Sequence, residues 1–187
     1  MRPDGPFTVG YMARICPAKG LHVLHGAVGL LRAEGRDVQI VAAGNLNAAD
    51  RPYLDGLRCD YLDYRGEVDR AGKRDLLDSV HVLSVPTVYR EPKGLFVLEA
   101  LARGVPVVQP RHGAFPELIE ATGGGLLVEP DNPRALADGL ARLMDDAELR
   151  DRLGGQGRAA VLQSFTDRIM AERTWAVYEQ YGRRRQT

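Results

Sequence analysis

Residues 84–117 read SVPTVYREPKGLFVLEALARGVPVVQPRHGAFPE, and the two acids at its centre, Glu91 and Glu99, stand with seven residues between them. The apolar run HVLSV (81–85) predicts a strand ahead of Glu91, and LFVLEALAR (95–103) predicts a helix that begins near Gly94 and carries Glu99. Pro92, Lys93 and Gly94 predict a tight turn between them. Such a turn aims the backbone N–H groups of Gly94, Leu95 and Phe96 into a cleft. A helix N-terminus has unpaired donors and a partial positive charge, so it favours a phosphate. Glu99 falls on the cleft side of the same helix, where a carboxylate can accept from a pair of hydroxyls. Glu91 reaches a further polar group beside the phosphate. Together these features suit a ligand with phosphate in the middle and hydroxylated rings at both ends, which describes a nucleotide-sugar.

Outward from this stretch, strands and helices alternate. FTVGYMARI (7–15) is a strand, CPAKG a loop, and LHVLHGAVGLLRAEG (21–35) a helix with Leu21, Leu24, Val28 and Leu31 at helical spacing and Gly35 as its stop. VQIVAAG is a second strand. Asp50 and Pro52 open a short helix, YLDY is a third strand, and Arg70 to Leu77 a further helix. VPVVQP gives a fifth strand after HVLSV, Phe115 to Ala121 a short helix, and GGGLLV a sixth strand. Near-continuous apolar strands between helices mean a parallel sheet covered on both faces. The expected fold is α/β, a Rossmann-like doubly wound sheet of about six strands over 7–128, with the ligand at the carboxyl ends of the strands. Residues 133–181 read as C-terminal helices. Leu136, Leu140, Leu143 and Met144 share one face, Gly154 and Gly155 separate two helices, and a last helix runs from Asp167 to Tyr181. MRPDGP reads as a frayed start and GRRRQT as a solvated end.

Composition narrows the function. The 187 residues are 44% hydrophobic and 27% charged, an ordinary globular balance for a single domain. Lys+Arg and Asp+Glu both number 25, so net charge does not drive the chain to nucleic acid. Cys16 and Cys59 make neither a disulfide framework nor a metal site and read as free thiols in a reducing cytosol. No apolar run is long enough to span a membrane and no leader is evident, so the expected location is cytoplasmic.

The loop after the first strand, Gly10-Tyr-Met-Ala-Arg-Ile-Cys-Pro-Ala-Lys-Gly20, lacks the G-x-G-x-x-G spacing of a dinucleotide site. It offers two cations instead, Arg14 and Lys19. A guanidinium gives bidentate contact to phosphate oxygens and an ammonium a movable point charge. The pair suits a diphosphate leaving group, whose developing charge must be stabilised.

Arg14-x4-Lys19-Gly20, Glu91-x-x-Gly94-Leu95-x3-Glu99-Ala100-x-Ala102-x-Gly104-Val105-Pro106-Val107-Val108 and Gly113-x-x-Pro116-Glu117 resemble the donor half of the family-four retaining glycosyltransferases, which have the two-domain GT-B architecture. The likeness covers about residues 7–181. It implies that Arg14 and Lys19 hold the diphosphate and Glu99 the ribose hydroxyls. Glu91 holds a hydroxyl of the donor sugar, with Gly94, Leu95 and Phe96 donating around sugar and phosphate. The backbone of Arg65 to Val68 meets the base, and Arg14, Lys19 and Glu91 form the catalytic set. Gly113 and Glu117 are expected only to shape a neighbouring loop. Three positions depart from the pattern: Ala13 where glycine is frequent, Glu67 after Gly66, and Lys93 where an aromatic residue is common.

The resemblance also implies an acceptor-binding domain amino-terminal to this one, absent here, which supplies a histidine. His22, His25 and His81 lie on a helix and a strand and read as structural, whereas His112 lies in a loop on the cleft side. The chain is thus expected to be a donor-binding fragment, inactive alone, with Trp175 and Tyr178 exposed where the last helix would meet the absent domain. No cofactor is expected, and no metal, since the chain lacks an Asp-x-Asp motif. Two other readings stay open: a non-catalytic nucleotide-sugar-binding or assembly module, and half of a nucleotide-sugar epimerase.

Overall fold

The computed structural model describes residues 5–183, with side chains described as far as residue 181. The expectations for residues 1–4 and for the arginine-rich end, 184–187, lie outside the described residues. Six strands form one wholly parallel sheet: β1 (Phe7–Met12), β2 (Val38–Ala43), β3 (Leu62–Tyr64), β4 (Val82–Leu83), β5 (Val107–Pro110) and β6 (Gly125–Val128). Their order is β3-β2-β1-β4-β5-β6. Helices α1 (Leu21–Ala33), α2 (Arg51–Asp55), α3 (Arg70–Asp78), α4 (Leu95–Ala102) and α5 (Phe115–Thr122) connect the strands. Three more follow, α6 (Pro133–Asp145), α7 (Ala147–Ser164) and α8 (Asp167–Arg183). This is the expected doubly wound Rossmann-like sheet. Among the described residues no helix is long and apolar enough to cross a membrane.

The central strands are buried on both faces because their sequences carry apolar side chains at nearly every position. All six residues of β1 are buried. Phe7 to Met12 pair in register with Val38 to Ala43, and Val9 and Gly10 pair with Val82 and Leu83 on the other side. The strand order therefore reverses between β1 and β4, and in an open α/β sheet the crevice at that reversal is where ligands bind. β4 is shorter than HVLSV predicts. The Val85 N–H turns to the Gln109 side chain (3.3 Å) and Pro86 has no N–H, so the ladder to β5 ends early. The loop leaving β4 thus starts deep, beside β1.

Helix ends follow local chemistry. Asp69 accepts from the Gly72 N–H (2.8 Å) at the start of α3, and Asn132 from the Ala135 N–H (3.0 Å) at the start of α6. Leu136, Leu140 and Leu143 of α6 are buried as their spacing predicts, with Met144 partly so. The expected break at Gly154 and Gly155 is not there. The chain breaks at Asp146, whose carboxylate caps α7 through the Leu149 N–H (2.8 Å), and α7 runs unbroken through both glycines. Close packing accounts for them. A Cβ on Gly154 would lie 2.2 Å from the Gly104 carbonyl oxygen at the end of α4, and one on Gly157 would lie 2.6 Å from Leu101. On α8, Met170, Trp175, Val177, Tyr178 and Tyr181 are all more than half exposed, as expected for Trp175 and Tyr178.

The two adjacent glycines should respond in opposite directions. Gly154→Ala forces α7 away from α4 and should cost about 1–3 kcal/mol. Gly155 has nothing within 4 Å of a built Cβ, so Gly155→Ala should gain up to ~1 kcal/mol from helix propensity. Denaturant unfolding of the two variants reads the difference directly.

Candidate functional site

Two loops meet across the β1/β4 reversal. The first leaves β1 with Ala13, Arg14 and Ile15, makes a short 3-10 turn over Pro17–Lys19, and enters α1 through Gly20. The second runs from Ser84 to Gly94 and enters α4. Their backbones touch: the Val88 N–H donates to the Ala18 carbonyl (3.0 Å), and a Cβ on Gly20 would lie 1.8 Å from the Pro86 carbonyl oxygen. Gly20 has a φ of 72°, so glycine serves both the turn and the close approach. Tyr11, fully buried in β1, reaches up to the carbonyls of Arg14 (3.2 Å) and Lys19 (3.3 Å). One hydroxyl thus sets the backbone of both predicted cations, a role the sequence reading missed because Tyr11 looks like an ordinary core residue.

At the meeting point Lys19 Nζ donates to Glu91 Oε2 (2.7 Å) and to the Tyr89 hydroxyl (2.6 Å). Tyr89 in turn donates to Glu91 Oε2 (2.5 Å). Lys19 also lies 5.0 Å from the Tyr89 ring centroid and 5.9 Å from that of Phe96. The Glu91 side chain is only 9% exposed. Burial works against its charge, but the hydrogen bonds from Lys19 and Tyr89 outweigh it and hold its pKa down at about 2. Burial likewise pulls on the Lys19 ammonium, but Glu91 and Tyr89 override it, so its pKa is raised.

Glu91 is held from behind as well. Its carbonyl accepts from the Ala114 N–H (2.8 Å), and a Cβ on Gly113, whose φ is 58°, would lie 2.5 Å from that same oxygen. The expectation that Gly113 shapes a neighbouring loop therefore has a specific form: it clears the backbone of Glu91. His112 belongs to the same clamp, its Nε2 donating to the Thr87 carbonyl (2.9 Å). The other histidines are structural, as expected. His22 and His25 lie against the hydroxyls of Tyr53 and Tyr61, and His81 Nδ1 accepts from the Thr8 N–H.

The predicted tight turn at Pro92–Gly94 is an open loop with a bend at Pro92. Gly94 enters α4 with a φ of 62°, packed so closely that a Cβ would meet Leu118 at 2.9 Å. Its N–H faces Glu91 Oε1 at 3.4 Å, as does that of Lys93. The first-turn N–H groups of Leu95 and Phe96 have no partner within the helix. Phe96 buries its ring against Phe115, and Leu95 is exposed.

A second cluster lies along the β1 and β2 ends. Arg14, Asn45, Glu67, Val68 and Lys73 line a cavity of about 190 Å³. Lys73 pairs with Glu99 (3.1 Å), which projects from α4, and Asn45 Nδ2 donates to Glu67 (3.0 Å). Lys73 was not anticipated; nothing in its neighbourhood in sequence connects it with Glu99. The backbone of 65–68 is partly committed, since the Arg65 N–H bonds the Ala42 carbonyl and the Gly66 carbonyl accepts from Gly44. Gly44 packs tightly against this loop: a Cβ on it would lie 1.8 Å from the Ala13 carbonyl oxygen. Among the described residues no three His, Cys, Asp or Glu side chains gather as a metal site. The described residues thus form two clusters: Lys19, Tyr89 and Glu91 where the two loops meet, and Arg14, Glu67 and Lys73 about the cavity, with Glu99 paired to Lys73. Gly94 opens α4 beside Glu91, and Leu95 lines a separate cavity with Phe165 and Met170.

Because Glu91 is more acidic folded than unfolded, it stabilises the fold above its ordinary value of 4.5, and this is lost as pH falls toward about 2. The displacement corresponds to at most ~3 kcal/mol. Stability of the wild-type chain should fall through that window, and the Glu91→Gln curve should be flatter and converge with it. Urea unfolding at stepped pH checks this; parallel curves would contradict it.

The family profile for glycosyl transferases group 1 matches residues 2–160. The chain is 32% identical over 167 residues to a phosphatidyl-myo-inositol mannosyltransferase of Mycobacterium tuberculosis, covering 87% of this chain and 44% of that protein. It is 34% identical over 168 residues to an MMP alpha-(1->4)-mannosyltransferase of Mycolicibacterium hassiacum, covering 87% of this chain and 40% of that protein. Among solved structures it resembles sucrose-phosphate synthase from Thermosynechococcus elongatus, with a TM-score of 0.85 and 28% identity over 95% of this chain and 46% of that one. The chain spans less than half the length of these proteins.

Proposed function

Since the chain belongs to the group 1 glycosyl transferases, we propose that its crevice is the nucleotide-sugar site of a retaining glycosyltransferase. The complete enzyme moves a hexose from a nucleoside diphosphate to an acceptor hydroxyl with its anomeric configuration kept. The observation that carries this reading is the meeting of Lys19 and Glu91 at 2.7 Å, from loops 72 positions apart, at the reversal of strand order. A cation and an acid held there have an evident use: the cation for a diphosphate, the acid for a sugar hydroxyl beside it.

In this reading the donor replaces the internal pairing. Lys19 turns from Glu91 to the diphosphate, joined by Arg14, and the N–H groups of Leu95 and Phe96 complete the anion site. Glu91, relieved of Lys19, accepts from a hydroxyl of the donor sugar. Glu99 exchanges Lys73 for the ribose hydroxyls, and the base enters the cavity beside Val68. As the glycosidic bond breaks, negative charge grows on the departing diphosphate, and Arg14 and Lys19 stabilise it. They bring the positive charge that a metal ion supplies elsewhere, so chelator should leave donor binding unchanged. The two mannosyltransferase relatives favour a mannosyl donor. The acceptor site belongs to a second domain, for which the exposed apolar face of α8 is the docking surface.

Calorimetric titration with UDP, GDP and ADP, then with their sugar conjugates, tests the site and names the base. One nucleotide should bind; Glu99→Gln should weaken it about tenfold through lost ribose hydrogen bonds. Arg14→Ala with Lys19→Ala should abolish binding with the fold intact. Unchanged affinity in the double variant would remove the diphosphate assignment.

A further inference from the structure

Tyr89 has no part in the chemistry assigned so far, yet it touches both residues that carry it. The Lys19 ammonium has three protons. In the free site one goes to Glu91 Oε2 and one to the Tyr89 hydroxyl. The Tyr89 proton goes to the same Glu91 oxygen, at 2.5 Å. The other oxygen of Glu91 has only the N–H groups of Lys93 and Gly94, both at 3.4 Å. If a diphosphate draws Lys19 away, a nearly buried carboxylate is left with two long backbone contacts, and a buried charge so poorly satisfied is costly. Only Tyr89 remains close enough to hold it.

We propose that Tyr89 is the positioning residue for donor-sugar recognition: its hydroxyl holds the Glu91 carboxylate in place for a sugar hydroxyl while Lys19 is engaged by the diphosphate. This rests on the donor-site reading above. Tyr89 is fit for the task because its own loop is fixed. The Thr87 hydroxyl donates to the Tyr89 carbonyl (3.0 Å), the Val88 N–H is bound to the Ala18 carbonyl, and the Thr87 carbonyl is held by His112. Burial and the neighbouring Glu91 raise the pKa of the Tyr89 hydroxyl, so it keeps its proton and stays a donor. Lys19, at the end of four rotatable bonds, can swing; the Tyr89 ring, with two, need not. The proposal thus divides the triad into a mobile cation and a fixed donor that share one acid.

The test is Tyr89→Phe in the whole chain, which keeps the ring and removes the one hydroxyl. Affinities are measured for GDP against GDP-mannose and for UDP against UDP-glucose, in wild type and variant, across pH. The bare diphosphate should bind the variant within about threefold of wild type, since Lys19 keeps its charge and loses only a competing acceptor. The advantage of the sugar conjugate over the bare nucleotide should shrink about fivefold or more. What remains of it should disappear at a higher pH than in wild type, because Glu91 has lost a donor that favours its charged form. Equal loss for nucleotide and conjugate, or no loss for either, overturns the role of Tyr89. An unmoved pH midpoint overturns it as well, because a part in packing alone would leave the midpoint where it was. Failure of wild type to bind either pair overturns the donor-site reading itself, and the wild-type control tells that failure apart from the others.

Discussion

The contact between Lys19 and Glu91 joins the two halves of the sheet at the point where their strand order reverses. Everything near it is arranged to make it possible. Gly20 lets the first loop lie against the Pro86 carbonyl, and Gly113 clears the backbone of Glu91. Tyr11 binds the carbonyls on either side of the first loop, and Ala114 binds that of Glu91. An ion pair between exposed side chains contributes little to stability. This one is nearly buried and shared with a tyrosine, so the Glu91 carboxylate is held in place in the free site.

The same arrangement explains why the free site is internally neutral. Lys19 is paired with Glu91 and Lys73 with Glu99. Each acid that the donor reading gives to a hydroxyl is held, without ligand, by a lysine. A buried carboxylate awaiting a neutral hydroxyl is costly unless something else satisfies it meanwhile. Ligand entry is then an exchange of partners. The two exchanges differ in depth: Glu91 is buried, while Glu99 and Lys73 are each over 40% exposed, where water competes for the pair.

Much of this was legible in the sequence for identifiable reasons. The strands showed because buried parallel strands need unbroken apolar runs, and FTVGYM and VQIVAA have them. Arg14, Lys19, Glu91 and Glu99 stood out through the spacing they share with the resembled family, not through any local physical signal. What escaped depends on packing between distant segments. Gly154 and Gly155 look like a helix break by propensity, but Gly154 is set by the Gly104 carbonyl fifty residues earlier. Lys73 has no local signal, since its partner lies on another helix. Tyr89 lies two residues from Glu91, but the chain bends at Val88 and Tyr89, so strand alternation could not have placed it.

The central claim is that one crevice takes diphosphate at Lys19 and sugar at Glu91. The most direct measurement is a crystal structure of this chain grown with the nucleotide-sugar that binds it. The account predicts Lys19 Nζ on a diphosphate oxygen and no longer on Glu91, Glu91 on a sugar hydroxyl, and Glu99 on the ribose. A nucleotide-sugar bound elsewhere, with the Lys19–Glu91 contact intact, would contradict it.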